Sequence, residues 1–553
     1  MREKKSSGKT GQYVVRQRET QVFSCVAQKS KDSNEYSGKK DDLLFAVGRF
    51  FLFIIAAAAT AYLIYLSYPK NNFSAFAWVS FFPFLFMLRK TKGLFKSFSF
   101  GWVTGFFTYI GIFIWIYATC RAGGLSKDLS TMAVCALAAV TALQFAVFGG
   151  LMFYARNLKF LYPLVAAAGW VTFELLHQVV AYGFLGFPWF MPGYSQWSTP
   201  AMIQLASFGG VYIISFVIVF ISGCVAVLFD SENWGERFLS VFIGAAVLFA
   251  VFAFGAYRIS SFNPEIKKTL RVSVLQPNID QYKKWNAEFV SEIESVLRHQ
   301  LEEVKAFNPD IIVWPETALP GSAQEEKYVT WLSSISKSYE SYQLIGSTYY
   351  NDRANYVSAF LFNDKGEIEG VYNKEKLVPF GEYIPFENRL KNIMDVEVLG
   401  ELGSFTPGAP NQPLYEVAGV KIASNICYES IFPDLWTKAA DGGAEIFFNV
   451  TNDGWYLDTS APYQHFAVNV FRAVETGRPV VRSANTGISG WINPLGQVME
   501  SSELNTRTVM NFEMPVYKSK DVTFYIKWGN LFAYLCVIVF LTAVSTVFII
   551  SDD

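Results

Sequence analysis

Between Leu43 and Tyr257 the chain is divided into seven apolar blocks of helix-spanning length, near 43–66, 73–88, 97–119, 130–154, 160–181, 201–229 and 237–257, and an eighth runs from Phe524 to Ile550. A helix needs about 20 apolar residues to cross the hydrocarbon of a bilayer, and lipid admits only elements that satisfy their own backbone hydrogen bonds. The blocks therefore commit a large part of the chain to a polytopic α-helical membrane domain. The composition, 52% apolar and 17% aromatic, is richer than a globular protein carries and agrees with that reading. The expected layout is a polar basic tail over 1–42, a seven-span membrane domain over 43–259, one soluble domain over 260–523 and a C-terminal transmembrane helix over 524–550. The second block is the shortest, and whether it crosses fully is left open.

Lys and Arg gather in cytoplasmic loops. The tail is basic, Arg89, Lys90, Lys92 and Lys96 follow the second block, Arg156 and Lys159 the fourth, and Arg237 precedes the seventh, whereas the alternate loops hold only Lys70, Arg121 and Lys127. The amino terminus is thus expected inside, and seven crossings place 260–523 outside. Overall, 46 Lys and Arg balance 47 Asp and Glu, which gives no reason to expect nucleic acid as a partner. Of the six cysteines only Cys427 falls in 260–523, so no disulfide can form within that domain and a lone thiol there needs a reason.

In the soluble region Arg271–Gln276, Ile311–Trp314, Leu344–Thr348, Val420–Ile426, Glu445–Val450 and Val480–Ala484 have the β-rich character of strands. Phe289, Ile293, Val296, Leu297, Leu301 and Val304 recur at helical spacing, and a second helix is predicted over Tyr463–Thr476, stopped by Gly477 and Pro479. Strands alternating with helices argue for a layered α/β fold.

Three segments in this region place a reactive group directly after an apolar run, where α/β folds expose working side chains. They are Ile311-Ile312-Val313-Trp314-Pro315-Glu316; Tyr372-Asn373-Lys374 leading into Leu377-Val378-Pro379-Phe380-Gly381-Glu382; and Ile422-Ala423-Ser424-Asn425-Ile426-Cys427-Tyr428-Glu429. Singly each is weak, since an acid after a strand is usually a solvated turn residue. Together, a glutamate, a lysine and a cysteine arriving in that order resemble the nitrilase superfamily. The full words from Tyr372 to Pro385, the Cys427-Tyr428-Glu429 word and the seven-plus-one membrane pattern resemble, within it, the apolipoprotein N-acyltransferase family. So do Gly186-Phe187-Pro188-Trp189 and Gly193-Tyr194-Ser195-Gln196 in the membrane part.

The physical roles can be argued from the residues. A thiol is little ionised near neutrality, so Cys427 as nucleophile needs a base, and Glu316 is the candidate proton acceptor. Attack on an ester builds an oxyanion that the ammonium of Lys374 and the N–H of Tyr428 can stabilise. A Cys-His mechanism is the local rival, but the region holds only His299, on the exposed side of a helix, and His465, where a structural hydrogen bond is the expected role. From the resemblance alone come four supporting residues, Glu382, Tyr428, Glu429 and Trp285. For Glu382 and Glu429, direct participation and support of the lysine both stay open. Thr451-Asn452-Asp453-Gly454-Trp455 and Arg472-Ala473-Val474-Glu475 are expected as pocket wall and fold support.

The resemblance implies an αββα nitrilase-like sandwich and acyl transfer from a membrane phospholipid, through a cysteine thioester, to the α-amino group of a diacylglyceryl-modified lipoprotein. It implies no metal, no cofactor, and a multi-pass place in the bacterial inner membrane with the catalytic domain on the periplasmic side. A membrane-tethered nitrilase-type amidase is the alternative, distinguished by whether water or an amine resolves the thioester. The chain departs from the family where Tyr456-Leu457 replaces Phe-Gly after Trp455, and where Glu174-Leu175-Leu176-His177-Gln178 replaces Glu-Phe-Leu-Arg-Gly.

Overall fold

The computed structural model describes residues 47–183, 187–284, 286–385, 405–518 and 522–552. Among them six helices are long and apolar enough to cross a membrane: Val47–Ser67, Lys127–Ala155, Lys159–Val180, Ala206–Asp230, Trp234–Ser260 and Leu531–Ile549. The pair Leu94–Phe113 and Trp115–Ala122, bent by 52°, makes a seventh if it is counted as one span.

Two expected spans take a different form. The 73–88 block is broken into the turn Ser74–Phe76 and the helices Ala77–Ser80 and Phe82–Lys90, with Pro83 opening the last, where its missing N–H is harmless. Laid end to end these give about 25 Å, short of the roughly 30 Å of hydrocarbon. The C-terminal span does not start at Phe524. A short helix Phe524–Trp528, capped by Thr523, ends at Gly529 with φ +54, and the membrane-length helix begins only at Leu531.

Twelve strands follow in chain order among the described residues of the soluble domain: β1 (Ile266–Gln276), β2 (Ile311–Trp314), β3 (Tyr342–Asn351), β4 (Ala354–Phe362), β5 (Ile368–Asn373), β6 (Tyr415–Val417), β7 (Val420–Ile426), β8 (Ile446–Thr451), β9 (Val480–Ala484), β10 (Gly490–Ile492), β11 (Val498–Ser501) and β12 (Thr508–Tyr517). They form two six-stranded sheets, β12-β1-β2-β3-β4-β5 and β11-β10-β9-β8-β7-β6. In each, three parallel strands (β1-β2-β3 and β7-β8-β9) carry antiparallel neighbours on both sides. The two halves repeat one topology that the sequence does not betray as a repeat.

The sheets stack face to face over an apolar core that includes Val272, Val274, Ile311 and Val313 of the first and Ile422, Ile426, Phe448 and Val450 of the second. Helix Val290–Lys305 buries Ile293, Leu297, Leu301 and Val304 against the outer face of the first sheet, alongside helix Glu326–Tyr339. Trp436 of helix Pro433–Asp441 stacks on Phe447 outside the second sheet, with helix Ala461–Thr476 beside it. The last helix stops at Gly477, in the left-handed conformation (φ +62) that glycine adopts at no steric cost. The order is the αββα sandwich that the resemblance implies.

Candidate active site

Each of the three reactive side chains stands at the carboxyl end of a strand: Glu316 two residues past β2, Lys374 one past β5, Cys427 one past β7. Gly346 of β3 makes the first placement possible, because a Cβ there would lie 2.5 Å from the Glu316 Cα. The backbone is strained at two of these ends. Cys427 has φ +50 and Thr317, a β-branched residue next to Glu316, has φ +47. Such conformations cost about 1–3 kcal/mol each and persist only where the surroundings impose them.

The three side chains are buried together. Lys374 Nζ donates to Glu316 Oε1 at 3.2 Å and contacts Glu382 Oε1 more closely still. Glu316 Oε2 accepts the Asn452 N–H at 2.9 Å, so both carboxylate oxygens are held. Burial works against the charge on Lys374, but Glu316 and Glu382 outweigh it and keep the ammonium well above the ordinary lysine range. Lys374 is therefore a fixed cation. Burial first, and then the charge of Glu316, push the Cys427 thiol up, with Lys374 opposing. The resting group is a neutral thiol that needs its proton removed as it attacks.

The supporting residues separate by what they touch. Glu382 grips the Lys374 ammonium and accepts the Val378 N–H at 2.8 Å. Glu429 does not touch that ammonium. Its Oε2 accepts the Ile426 N–H at 2.7 Å, and its Oε1 accepts the Glu375 N–H at 2.6 Å, the Lys376 N–H at 3.2 Å and the Tyr372 hydroxyl at 2.9 Å. One carboxylate thus fastens the cysteine turn to the lysine loop. The Tyr428 ring stacks on Phe187, centroids 5.9 Å apart, which joins the nucleophile's neighbour to the Phe-Pro-Trp word of the membrane part. Trp285 lies outside the described residues.

His465 supports rather than attacks. Its Nε2–H donates to the Cys427 carbonyl at 3.0 Å and its Nδ1 lies 2.9 Å from Asp453 Oδ1, which in turn is paired through Oδ2 with Arg482 at 2.8 Å. Arg482 and His465 outweigh burial and hold the Asp453 carboxyl down at about 2. His299 is exposed. Arg472 and Glu475 pair at 3.1 Å, Arg472 donates to the Tyr194 hydroxyl, and Glu475 accepts the Val211 N–H at 2.9 Å, so this word ties the sandwich to the membrane helices. Sequence reasoning missed Lys284, whose buried amine reaches the Glu316 carbonyl, and the part of the Asn452 main chain; Asn452 at least lies in a segment singled out as pocket wall.

A family model described as carbon-nitrogen hydrolase matches residues 271–517, and one described as apolipoprotein N-acyltransferase N-terminal domain matches 60–224. The apolipoprotein N-acyltransferase of Geobacter metallireducens is 33% identical over 87% of this chain and 93% of its own length. The chain belongs to the apolipoprotein N-acyltransferase family. A second member, from Agrobacterium fabrum, is 33% identical over 78% of this chain and 84% of its own. Among solved structures, the amidase from Nesterenkonia sp. AN1 aligns at 17% identity and TM-score 0.36, covering 48% of this chain and 98% of that one.

Proposed function

We propose that the protein moves a fatty acyl chain from a membrane phospholipid to the α-amino group of an S-diacylglyceryl cysteine at the start of a lipoprotein, by a two-step route through a thioester on Cys427. The observation that carries the reading is the convergence of Glu316, Lys374 and Cys427 at three strand ends in a member of this family. Glu316 takes the thiol proton while sulfur attacks the ester carbonyl. Lys374 and the Tyr428 N–H face the oxyanion, and the proton goes to the departing lysophospholipid oxygen. In the second step the amine attacks the thioester, Glu316 takes its proton, and the thiol returns as the amide forms. An α-amine titrates near 7.7–8.0, so at neutral pH a useful fraction is already nucleophilic.

The membrane helices keep both lipidated substrates at the site, which a small-molecule amidase has no use for. The layout is a tail over 1–42, membrane spans over 43–259, a catalytic domain over 260–523 and a final span. In the bacterial inner membrane the bias of Lys and Arg supports an inside amino terminus and a periplasmic catalytic domain, provided that 74–90 and 94–122 each cross.

The test is mass spectrometry of the purified protein with a defined phospholipid, beside Cys427→Ala, followed by a diacylglyceryl-cysteine peptide. A hydroxylamine-labile acyl adduct on Cys427 that passes to the peptide as an amide is the expected result. An adduct released only to water would favour the tethered amidase, and no adduct on folded protein would remove the acyl-donor reading.

A further inference from the structure

Lys284 has no part in the chemistry described so far. It ends the short helix Gln281–Lys284, is 1% exposed, and its Nζ donates to the main-chain carbonyl of Glu316 at 3.2 Å. Among the described residues no carboxylate lies within ion-pairing distance of this amine, whereas Lys374 has two. Burial, partly opposed by the charge of Glu316, accordingly brings Lys284 down to about 7. Two buried amines thus flank one glutamate, one held as a cation by two carboxylates and the other holding its proton only weakly, an arrangement that separates a fixed cation from a group free to change its charge.

The same helix reaches Glu316 a second way. Gln281 Oε1 accepts from the Asn452 side chain at 2.6 Å, and the Asn452 main-chain N–H donates to the Glu316 carboxylate. On its other side the Tyr282 hydroxyl contacts the carbonyl of Ala122, at the end of helix Trp115–Ala122. The carbonyl that Lys284 grips belongs to the peptide leading into Thr317, one of the strained positions of the site.

We propose that Lys284 is a positioning residue for the base: its amine fixes the strained Glu316–Thr317 peptide and so aims the Glu316 carboxylate between Lys374 and the Cys427 thiol. This rests on the reading of Glu316 as proton acceptor. Lys284 is sealed from substrate and acts through Glu316. The charged groups around it are Glu316, with Lys374 and Glu382 behind it; Asp453 beyond Asn452, tied to Arg482 and His465; and Lys283, which turns outward to Glu292 at 3.1 Å. While Lys284 carries its proton its hydrogen bond to the Glu316 carbonyl is charge-assisted, and that grip weakens as the amine deprotonates.

The test uses the full-length protein with a defined phospholipid, comparing wild type, K284M, K284Q and K284R for the rate of acyl-enzyme formation across about pH 6–9, with thermal melts of each. K284M is expected to slow the step by about tenfold to a hundredfold at saturating lipid with KM little changed, and to lose the limb of the profile near neutrality. K284R is expected to recover part of the rate without that limb. A K284M rate within twofold of wild type at every pH would overturn the inference. So would a uniform loss that tracks the melting temperature, keeps the shape of the profile and is not recovered by arginine. If K284M does not fold, K284Q is judged by the same criteria. Failure of the proposed function looks different, because wild type itself would then form no adduct on Cys427.

Discussion

Glu429 offers the sharpest test of how the site is held. Its buried carboxylate accepts three main-chain N–H groups and one hydroxyl from both sides of the junction between the Cys427 turn and the Lys374 loop. Glu429→Ala orphans all four donors, and at the low end of about 1 kcal/mol each the loss is about 4 kcal/mol. Part of this is returned, because burial holds the Glu429 carboxyl up at about 7 even with its hydrogen bonds in place, and that cost disappears with the side chain. A net loss of about 1–3 kcal/mol remains, which for a domain of this size lowers the melting temperature by roughly 2–12 °C. Glu429→Gln keeps a carbonyl for the three donors on one side and sets an amide NH2 against the Ile426 N–H, so its loss is expected near 1 kcal/mol. The assay pairs thermal melts in one detergent with the rate of acyl-enzyme formation. Alanine should fall below glutamine in both. An alanine variant that melts with wild type yet forms no acyl-enzyme would refute the argument and make Glu429 a participant rather than a fastening.

Three further outcomes follow from neighbouring groups. Gly346→Ala drives a Cβ to 2.5 Å from the Glu316 backbone, which has no flexible end to yield, so acyl-enzyme formation should fall at least tenfold with a stability loss of about 1–3 kcal/mol. Arg482→Met leaves Asp453 with only His465 and the Thr451 hydroxyl; breaking this buried pair should cost about 3–5 kcal/mol in denaturation. Lys284 is lowered in the folded state to about 7, so between there and its unfolded pKa near 10.4 the unfolded chain holds a proton that the folded one has released. Stability of wild type relative to K284M should therefore rise with pH across that window, by at most about 1.4 kcal/mol per pH unit, and a flat difference would show that the amine is not buried as described.

The strands that carry Glu316 and Cys427 were legible because they are short apolar runs ending on a polar group, and Ile311–Trp314, Val420–Ile426 and Val480–Ala484 emerge with the expected bounds. The strand leading to Lys374 was not, since Ile368–Asn373 is an edge strand with little buried surface. Strand β12 alternates cleanly, with Met510, Phe512, Met514 and Val516 inward, and Pro515 is tolerated because it lies on a sheet edge. For Glu382 and Glu429 the sequence left support and participation open, because it cannot say which of two glutamates meets an ammonium and which meets main chain. Lys284 left no trace in periodicity: a lysine ending a four-residue polar helix becomes buried only through what the rest of the fold lays over it. In the membrane part composition located the apolar blocks, but not the breaks at Phe81 and Gly529 that shorten two of them.

The choice of base has a consequence that separates this site from a thiolate–imidazolium pair. His465 faces the Cys427 carbonyl and is itself kept low by burial and by Arg482, so no imidazolium stands beside the sulfur to stabilise a thiolate in advance. The thiol is pushed up by burial and by Glu316, and the proton must leave as the carbon–sulfur bond forms. Proton transfer then belongs to the rate-limiting barrier of acyl-enzyme formation, and the step should run clearly slower in D2O than in H2O under single-turnover conditions with saturating phospholipid. A preformed thiolate would give equal or faster rates in D2O. That result would mean that Lys374 stabilises the sulfur anion before attack, and that Glu316 serves the amine in the second step only.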